Sequence, residues 1–347
     1  MPETTALLDM KWDKIFYTGG VNVGKIIAKK AAETLTPVVL ELGGRNPAIV
    51  TKHADPRLAA RRCLWTKLLN AGQICISQNY IMVDREILDR FTSELVAAMA
   101  EFYPNGFQGS DGYGHIINER QFDRLQSMLD STKGKIIMGG KSDRSTLHFD
   151  PTAVLVDSAD DPLIKDESFG PLIPILPVDN LDEAIRTANS VHATPLAVYT
   201  FGSDVENQRV LRETRSGGAT LNDAMFHGSI PTLAFGGVGD SGQGAWHGQA
   251  SFDAFTHRRS VTQTPNWMER FLDVRYPPYT ASKMKQLQMM QSMKPDFDRD
   301  GNVKTSWVWW ILGLGAKSGL GAGTRWAALM GLLAVMIRVY RQRPGSL

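Results

Sequence analysis

The order of apolar and polar runs along the chain constrains its fold first. KIFYTGG reads as a strand running into a glycine turn, VNVGKIIAKKAAETL as a helix and PVVLEL as a second strand. In that helix Val23, Ile27 and Ala31 recur at i, i+4 and i+8 and so share a face. Further elements follow: a helix from Asp55 to Leu69, then YIMV (strand), ILDRFTSELVAAMA (helix), KIIMGG and TAVLV (strands), LDEAIRTAN (helix) and LAVYTFG (strand). Short apolar strands interleaved with helices select an α/β fold with a largely parallel sheet. After Gly236 the chain turns glycine-rich, then extended through FDAFTHRRSVTQTP; Tyr279 to Asn302 is polar and reads as a linker or amphipathic helix.

A chain of 347 residues with 43% hydrophobic content can bury a substantial core as one large domain or two. Its formal net charge of +2 carries no polyelectrolyte signature, so nucleic acid is not an expected partner. Two cysteines, Cys63 and Cys75, make no disulfide framework, and no apolar signal sequence opens the chain; a reducing intracellular compartment is expected. Neither cysteine belongs to a CxxC or Cys/His cluster, and His227, His247 and His257 are dispersed, so no metal site is expected.

Two segments carry chemistry. LELGGRNPAIV places Glu41 at the end of an apolar run, and LNAGQICISQNY places Cys75 in a turn that begins with Gly72. Acyl chemistry through a thioester needs such a pair: a thiolate to attack a carbonyl carbon and a base to activate water. Cys63 lies mid-helix beside Arg62, Leu64 and Trp65 and reads as a small core hydrophobe. Gly43 and Gly44 permit a sharp turn after Glu41. TGGVNVG, from Thr18 to Gly24, is a phosphate-loop candidate, because backbone N–H groups at a helix N-terminus face an anion. On composition alone DESFGPLIPIL is an ordinary turn. GDSGQG around Ser241 looks like a serine-protease segment but has no triad partners at a matching spacing. DFDRDGNVKTSW, from Asp296, has acids at three calcium-loop positions but Trp307 where a bidentate glutamate is required, and reads as a polar turn.

LELGGRNPAIV, LNAGQICISQNY and DESFGPLIPIL together resemble the aldehyde dehydrogenase superfamily. LNDAMFHGSIPTLAFGGVGDSGQGAWHGQASFDAFTHRRS and RYPPY resemble its class 3, fatty-aldehyde branch. The resemblance implies that Cys75 is the nucleophile and Glu41 the general base, with NAD or NADP accepting the hydride. It also implies that Glu167 and Phe169 hold the nicotinamide ribose and ring, and that Gly19, Gly20 and Gly24 lie beside the pyrophosphate, Gly20 replacing a more usual serine. Asn222 and Phe235 fall on motif positions near the active-site mouth.

The implied activity is NAD(P)-dependent oxidation of a hydrophobic aldehyde to the acid; the alternative is a catalytically impaired remnant that binds a membrane or partner. The resemblance covers about residues 12 to 280 and enters the family pattern partway through. It therefore implies an aldehyde dehydrogenase-like fold with an incomplete Rossmann-type cofactor domain. The expected divisions are a remnant of that domain (1–41), a complete thiol-bearing catalytic domain (42–225) and a return segment used in a homodimer (226–280). A linker (281–306) and a membrane-associated apolar tail (307–340) follow.

In the tail, WVWWILGLGA and WAALMGLLAVMI are each shorter than the ~20 residues of a spanning helix. Together, with tryptophan at their starts and Arg338, Arg341 and Arg343 at the end, they suit one tilted transmembrane helix, a re-entrant pair or an interfacial anchor. Attachment to an intracellular membrane, with the catalytic part facing the cytosol, is the expectation.

Overall fold

A computed structural model describes residues 2–107, 110, 112–292, 295, 297–299, 301 and 319–341. Residues Met1–Arg258 form one compact unit and Arg259–Leu347 a second. The first begins with α1 (Pro2–Leu8), β1 (Ile15–Gly19), α2 (Val21–Ala32) and β2 (Val38–Leu42), the strand–turn–helix–strand order read from the sequence. β3 (Pro47–Val50), α3 (Pro56–Leu68), β4 (Tyr80–Asp84), α4 (Leu88–Phe102) and α5 (Glu119–Ser131) follow. Next come β5 (Lys135–Met138), a hairpin of β6 (Ser142–Asp143) and β7 (His148–Phe149), β8 (Thr152–Leu155) and α6 (Pro162–Lys165). The unit closes with β9 (Leu172–Val178), α7 (Leu181–Val191), β10 (Ala197–Phe201), α8 (Asp204–Glu213), β11 (Gly218–Leu221), β12 (Gly242–Gln243) and α9 (Gly248–Phe255).

Two sheets organise this unit. The larger has the order β11-β10-β3-β4-β9-β8-β5, parallel throughout except for β5, which runs antiparallel to β8. β3, β4, β9 and β10 are buried along their whole length, as expected of parallel strands covered on both faces. The smaller sheet, β1-β2-β12, pairs β1 with β2 in parallel and β12 with β2 antiparallel, Gly242 opposite Glu41. Gly43 to Asn46 carry the chain from one sheet to the other, so Glu41 lies at that crossing.

The face of α2 differs from the sequence expectation. Val23 is exposed, and the buried stripe is Gly24, Ile27 and Ala31. A Cβ on Gly24 would lie 2.7 Å from Leu42 Cδ2, so the helix packs on β2 through the missing side chain. α5 and α8 were not read from the sequence, although the buried Phe122, Leu125, Met128 and Leu129 of α5 recur at helical spacing.

One amide ties the sheets' loops together. Asn46, fully buried, donates through Nδ2 to the Cys75 carbonyl at 2.8 Å and the Ser77 carbonyl at 3.0 Å, and its Oδ1 accepts the Ala197 N–H at 2.9 Å. It thus fixes the Cys75 turn to β3 and β10.

The second unit contains α10 (Glu269–Leu272), α11 (Ala281–Gln291) and α12 (Gly319–Arg341). α11 buries no residue. Asp296, Asp300 and Trp307 of the calcium-loop lookalike, and the run WVWWILGLGA, lie outside the described residues. Among the described residues no helix is long and apolar enough to cross a membrane. That corrects the expected transmembrane helix: in α12 four glycines and Arg325 dilute the leucine-rich stretch.

Asn46→Ala would leave two carbonyls and an amide without partners in a dry interior. At about 1–3 kcal/mol for each unsatisfied group, with partial relaxation, a loss near ~3 kcal/mol is expected. Urea unfolding measures it; a change below about 1 kcal/mol would show that this amide does not hold the two sheets' loops.

Candidate active site

α3 ends at Leu68 and passes into a tight turn, Leu69–Gly72, with three successive left-handed residues: Asn70 (φ 48°), Ala71 (φ 51°) and Gly72 (φ 71°). Asn70 and Gln73 exchange side-chain-to-carbonyl bonds of 3.0 Å, and Gln73 also binds the His115 carbonyl and the Ile117 amide, each at 3.0 Å. Backbone strain held by such bonds is typical of functional sites. Gly72 is required twice over, since a Cβ there would also lie 2.3 Å from the Gly170 carbonyl oxygen.

The turn places Cys75 on a cavity of about 930 Å³. Glu41, Glu167 and Phe169 line it, together with Thr18, Gly19, Gly20 and Asn22 at the N-terminus of α2. Gly43, Gln73, Ile74, Ile117, Asn118, Arg120, Gln121 and Arg124 complete the wall. The residues singled out in the sequence as nucleophile, base and nicotinamide contacts therefore share one space. Gly24 does not reach it: it packs against Leu42. Asn222 is elsewhere too, its Oδ1 accepting the Gly202 N–H at 2.9 Å. Phe235 is buried in an aromatic group with His227, Trp246 and His247. Ser241 is buried and its hydroxyl bonds back to Val238, a turn-closing role. Among the described residues no group of acids, histidines and cysteines could hold a metal.

The electrostatics separate the roles. Glu41 is 3% exposed, and among the described residues neither carboxylate oxygen has a partner at hydrogen-bonding geometry. Burial pushes its pKa up to about 7, the Gly237 amide pulling it back. A carboxylate poised there suits a general base at neutral pH. The Cys75 thiol is pushed up to about 11 by burial and then by the charges of Glu41 and Glu167, while the backbone amides of Cys75 and Ile76 oppose the rise. Cys63 is fully buried and its thiol is raised further still by burial, as befits an inert core residue.

The loop that carries Glu167 and Phe169 is tightly held. A Cβ on Gly43 would lie 2.3 Å from Glu167 Oε2, so the carboxylate packs directly over that glycine. Burial raises the Glu167 pKa, against the Gly44 amide and the charges of Lys67, Arg124 and Arg45. Phe169 is 43% exposed and sits at φ 44°, a left-handed conformation that an aromatic residue adopts only under constraint. Asn79 Oδ1 accepts the Ser168 N–H at 2.9 Å, and Arg124 donates to the Glu167 carbonyl at 3.1 Å and to the Ser168 carbonyl. Sequence reasoning missed Asn46, Lys67, Asn79 and Arg124. Lys67 alone left a signal: it follows Cys63 by one helical turn and so falls on the apolar face of α3.

With the site in place, the chain belongs to the aldehyde dehydrogenase family, whose pattern it matches over residues 4–261. It is 55% identical over 334 residues to beta-apo-4'-carotenal oxygenase of Neurospora crassa, an alignment covering 95% of this chain and 63% of the relative. The mouse (Mus musculus) protein named aldehyde dehydrogenase, dimeric NADP-preferring, is 43% identical over 282 residues, or 81% of this chain and 62% of that one. A solved structure of Staphylococcus aureus AldH in a substrate-bound state superposes with a TM-score of 0.76 at 37% identity, covering 84% of this chain and 63% of that one. The chain thus spans just under two thirds of the length of these relatives.

The two thiols should differ in alkylation. A thiol near 11 is only ~10⁻⁴ thiolate at pH 7, so Cys75 should react with iodoacetamide slowly there and about tenfold faster per pH unit up to pH 10. Cys63 should stay unmodified in the folded protein. Mass spectrometry of the labelled peptides reads both; a pH-independent Cys75 rate, or equal labelling of Cys63, would contradict these environments.

Proposed function

We propose that this chain oxidises an apolar aldehyde to the carboxylic acid with NAD or NADP. The observation that carries the reading is the single cavity onto which the Cys75 thiol, the Glu41 carboxyl and the Glu167–Phe169 pair all face. The protein's residues fit the cofactor at both ends. Gly20, the N-cap of α2, contributes no side-chain cap, which leaves the first helical amides available to pyrophosphate oxygens. At the far end Glu167 offers carboxylate oxygens to ribose hydroxyls and Phe169 offers an exposed ring. When bound, the cofactor supplies the hydride acceptor and a positive charge beside the thiol.

Within this site Cys75 attacks the aldehyde carbon, forming a thiohemiacetal that becomes a thioester on oxidation. Glu41, ionised above about pH 7, removes a proton from water for hydrolysis of the thioester. Ile74 and Ile117 supply apolar wall. The preference for an apolar aldehyde of carotenal or fatty type is supported by the names of the Neurospora crassa relative and of its Gibberella fujikuroi counterpart, also called beta-apo-4'-carotenal oxygenase. Assembly as a homodimer is supported by the name of the mouse relative.

Cys75→Ser should abolish NAD(P)H formation with a long-chain aldehyde. Glu41→Gln should instead give a single burst of NAD(P)H followed by a stalled acyl-enzyme, visible by mass as a thioester on Cys75. In the unmutated chain deacylation should fall about tenfold per unit as pH drops below 7, because only the carboxylate acts as base. Wild-type turnover by Glu41→Gln would remove it from the mechanism, and no NAD(P)H from the unmutated chain would remove the activity itself.

We also place this protein at an intracellular membrane surface, with the catalytic unit in the cytosol. α12 supports the reading: Trp326, Leu329, Met330 and Leu333 recur at helical spacing and are exposed. The full chain should co-sediment with anionic vesicles, and removal of residues 303–347 should release it. Equal sedimentation of the two forms would place the contact elsewhere.

A further inference from the structure

Lys67 is a charge where the fold calls for an apolar side chain. It is 1% exposed on the face of α3 that also buries Cys63, Leu64 and Leu68, and among the described residues it forms no ion pair. Burial lowers its pKa to about 7, with the charge of Glu167 pulling the other way. Burying an unpaired ammonium is costly, and leucine or methionine would pack here without that cost. Its acceptors give the reason for its presence. Nζ donates to the Gly170 carbonyl at 3.1 Å and lies 3.4 Å from Ser168 Oγ, the two residues that flank Phe169. The same Gly170 carbonyl oxygen is the atom that a Cβ on Gly72 would meet at 2.3 Å. One carbonyl is therefore held by Lys67 on one side and pressed against the start of the Cys75 turn on the other.

Resting on the functional reading above, we propose that Lys67 is a positioning residue that ties the Glu167–Phe169 loop to the Cys75 turn and so sets the nicotinamide ring against the thiol. The tie holds Phe169 in its left-handed conformation from below, while Arg124 and Asn79 hold the preceding residues. Without it the loop can relax toward ordinary backbone angles, which turns the Phe169 ring away from Cys75 and leaves the thiol turn in place. The effect should fall on the cofactor and on the chemical step, not on aldehyde capture.

Lys67→Met tests this, since it keeps the length and removes the charge. The variant should unfold at the same temperature or higher, yet bind NAD(P)H about tenfold or more weakly by nicotinamide fluorescence. Its kcat should fall with the KM for aldehyde unchanged, and Cys75 alkylation should proceed at the wild-type rate. Ser168→Ala, which removes one acceptor, should weaken cofactor binding about threefold in the wild-type background and have no further effect in Lys67→Met. If Lys67→Met does not fold, the Ser168→Ala affinity decides: a weakened cofactor complex supports the tie and an unchanged one overturns it. Wild-type cofactor affinity in a folded Lys67→Met protein overturns the proposal alone. Failure of the unmutated chain to bind NAD(P)H overturns the functional reading and this proposal with it.

Discussion

The buried side-chain amide of Asn46 is the interaction on which the site's geometry depends. It stands where the chain leaves the small sheet for the large one, and its three bonds reach the Cys75 turn and the start of β10. A loop with three left-handed residues has no ladder of its own to hold it, so its position must be imposed by partners from outside. Asn46 supplies that from one side and the Gly72–Gly170 backbone contact from the other. Glu41 lies a few residues before this amide in the chain. Glu41 and Cys75 are thus fixed to the same crossing point between sheets.

The sequence made the strands and the chemistry legible for different reasons. β4 and β10 were readable because inner strands of a parallel sheet are continuously apolar. Cys75, Glu41, Glu167 and Phe169 were readable because short motifs around them leave little room for other residues. Gly24 shows the limit of reading glycines: its place in a glycine-rich turn suggests an anion, while its need for close approach comes from Leu42. Val23 misled for a related reason, since periodicity cannot tell which of two adjacent faces meets the sheet. Asn46, Asn79 and Lys67 act through residues far away in sequence, and no local pattern encodes such contacts.

Within the cavity the thiol of Cys75 and the carboxyl of Glu41 are both held back from ionising. A thiol near 11 and a carboxyl near 7 leave neither group strongly ionised at neutral pH, although two amides face the sulfur. Burial is the largest cause of both shifts, and the Glu41 charge raises the thiol further. A positive charge brought next to the sulfur would favour the thiolate and lower this value. A thiol held in its protonated form is also a poor target for oxidation.

The buried carboxyl of Glu41 also bears on the stability of the chain. The fold raises this group from its ordinary 4.5 to about 7, so the folded state bears no penalty below the lower value and the full penalty above the upper one. At neutral pH the chain folds against a handicap that a neutral residue at the same position would lift. Burial of this one carboxyl is thus a standing cost in stability that grows as pH rises from the lower value to the upper.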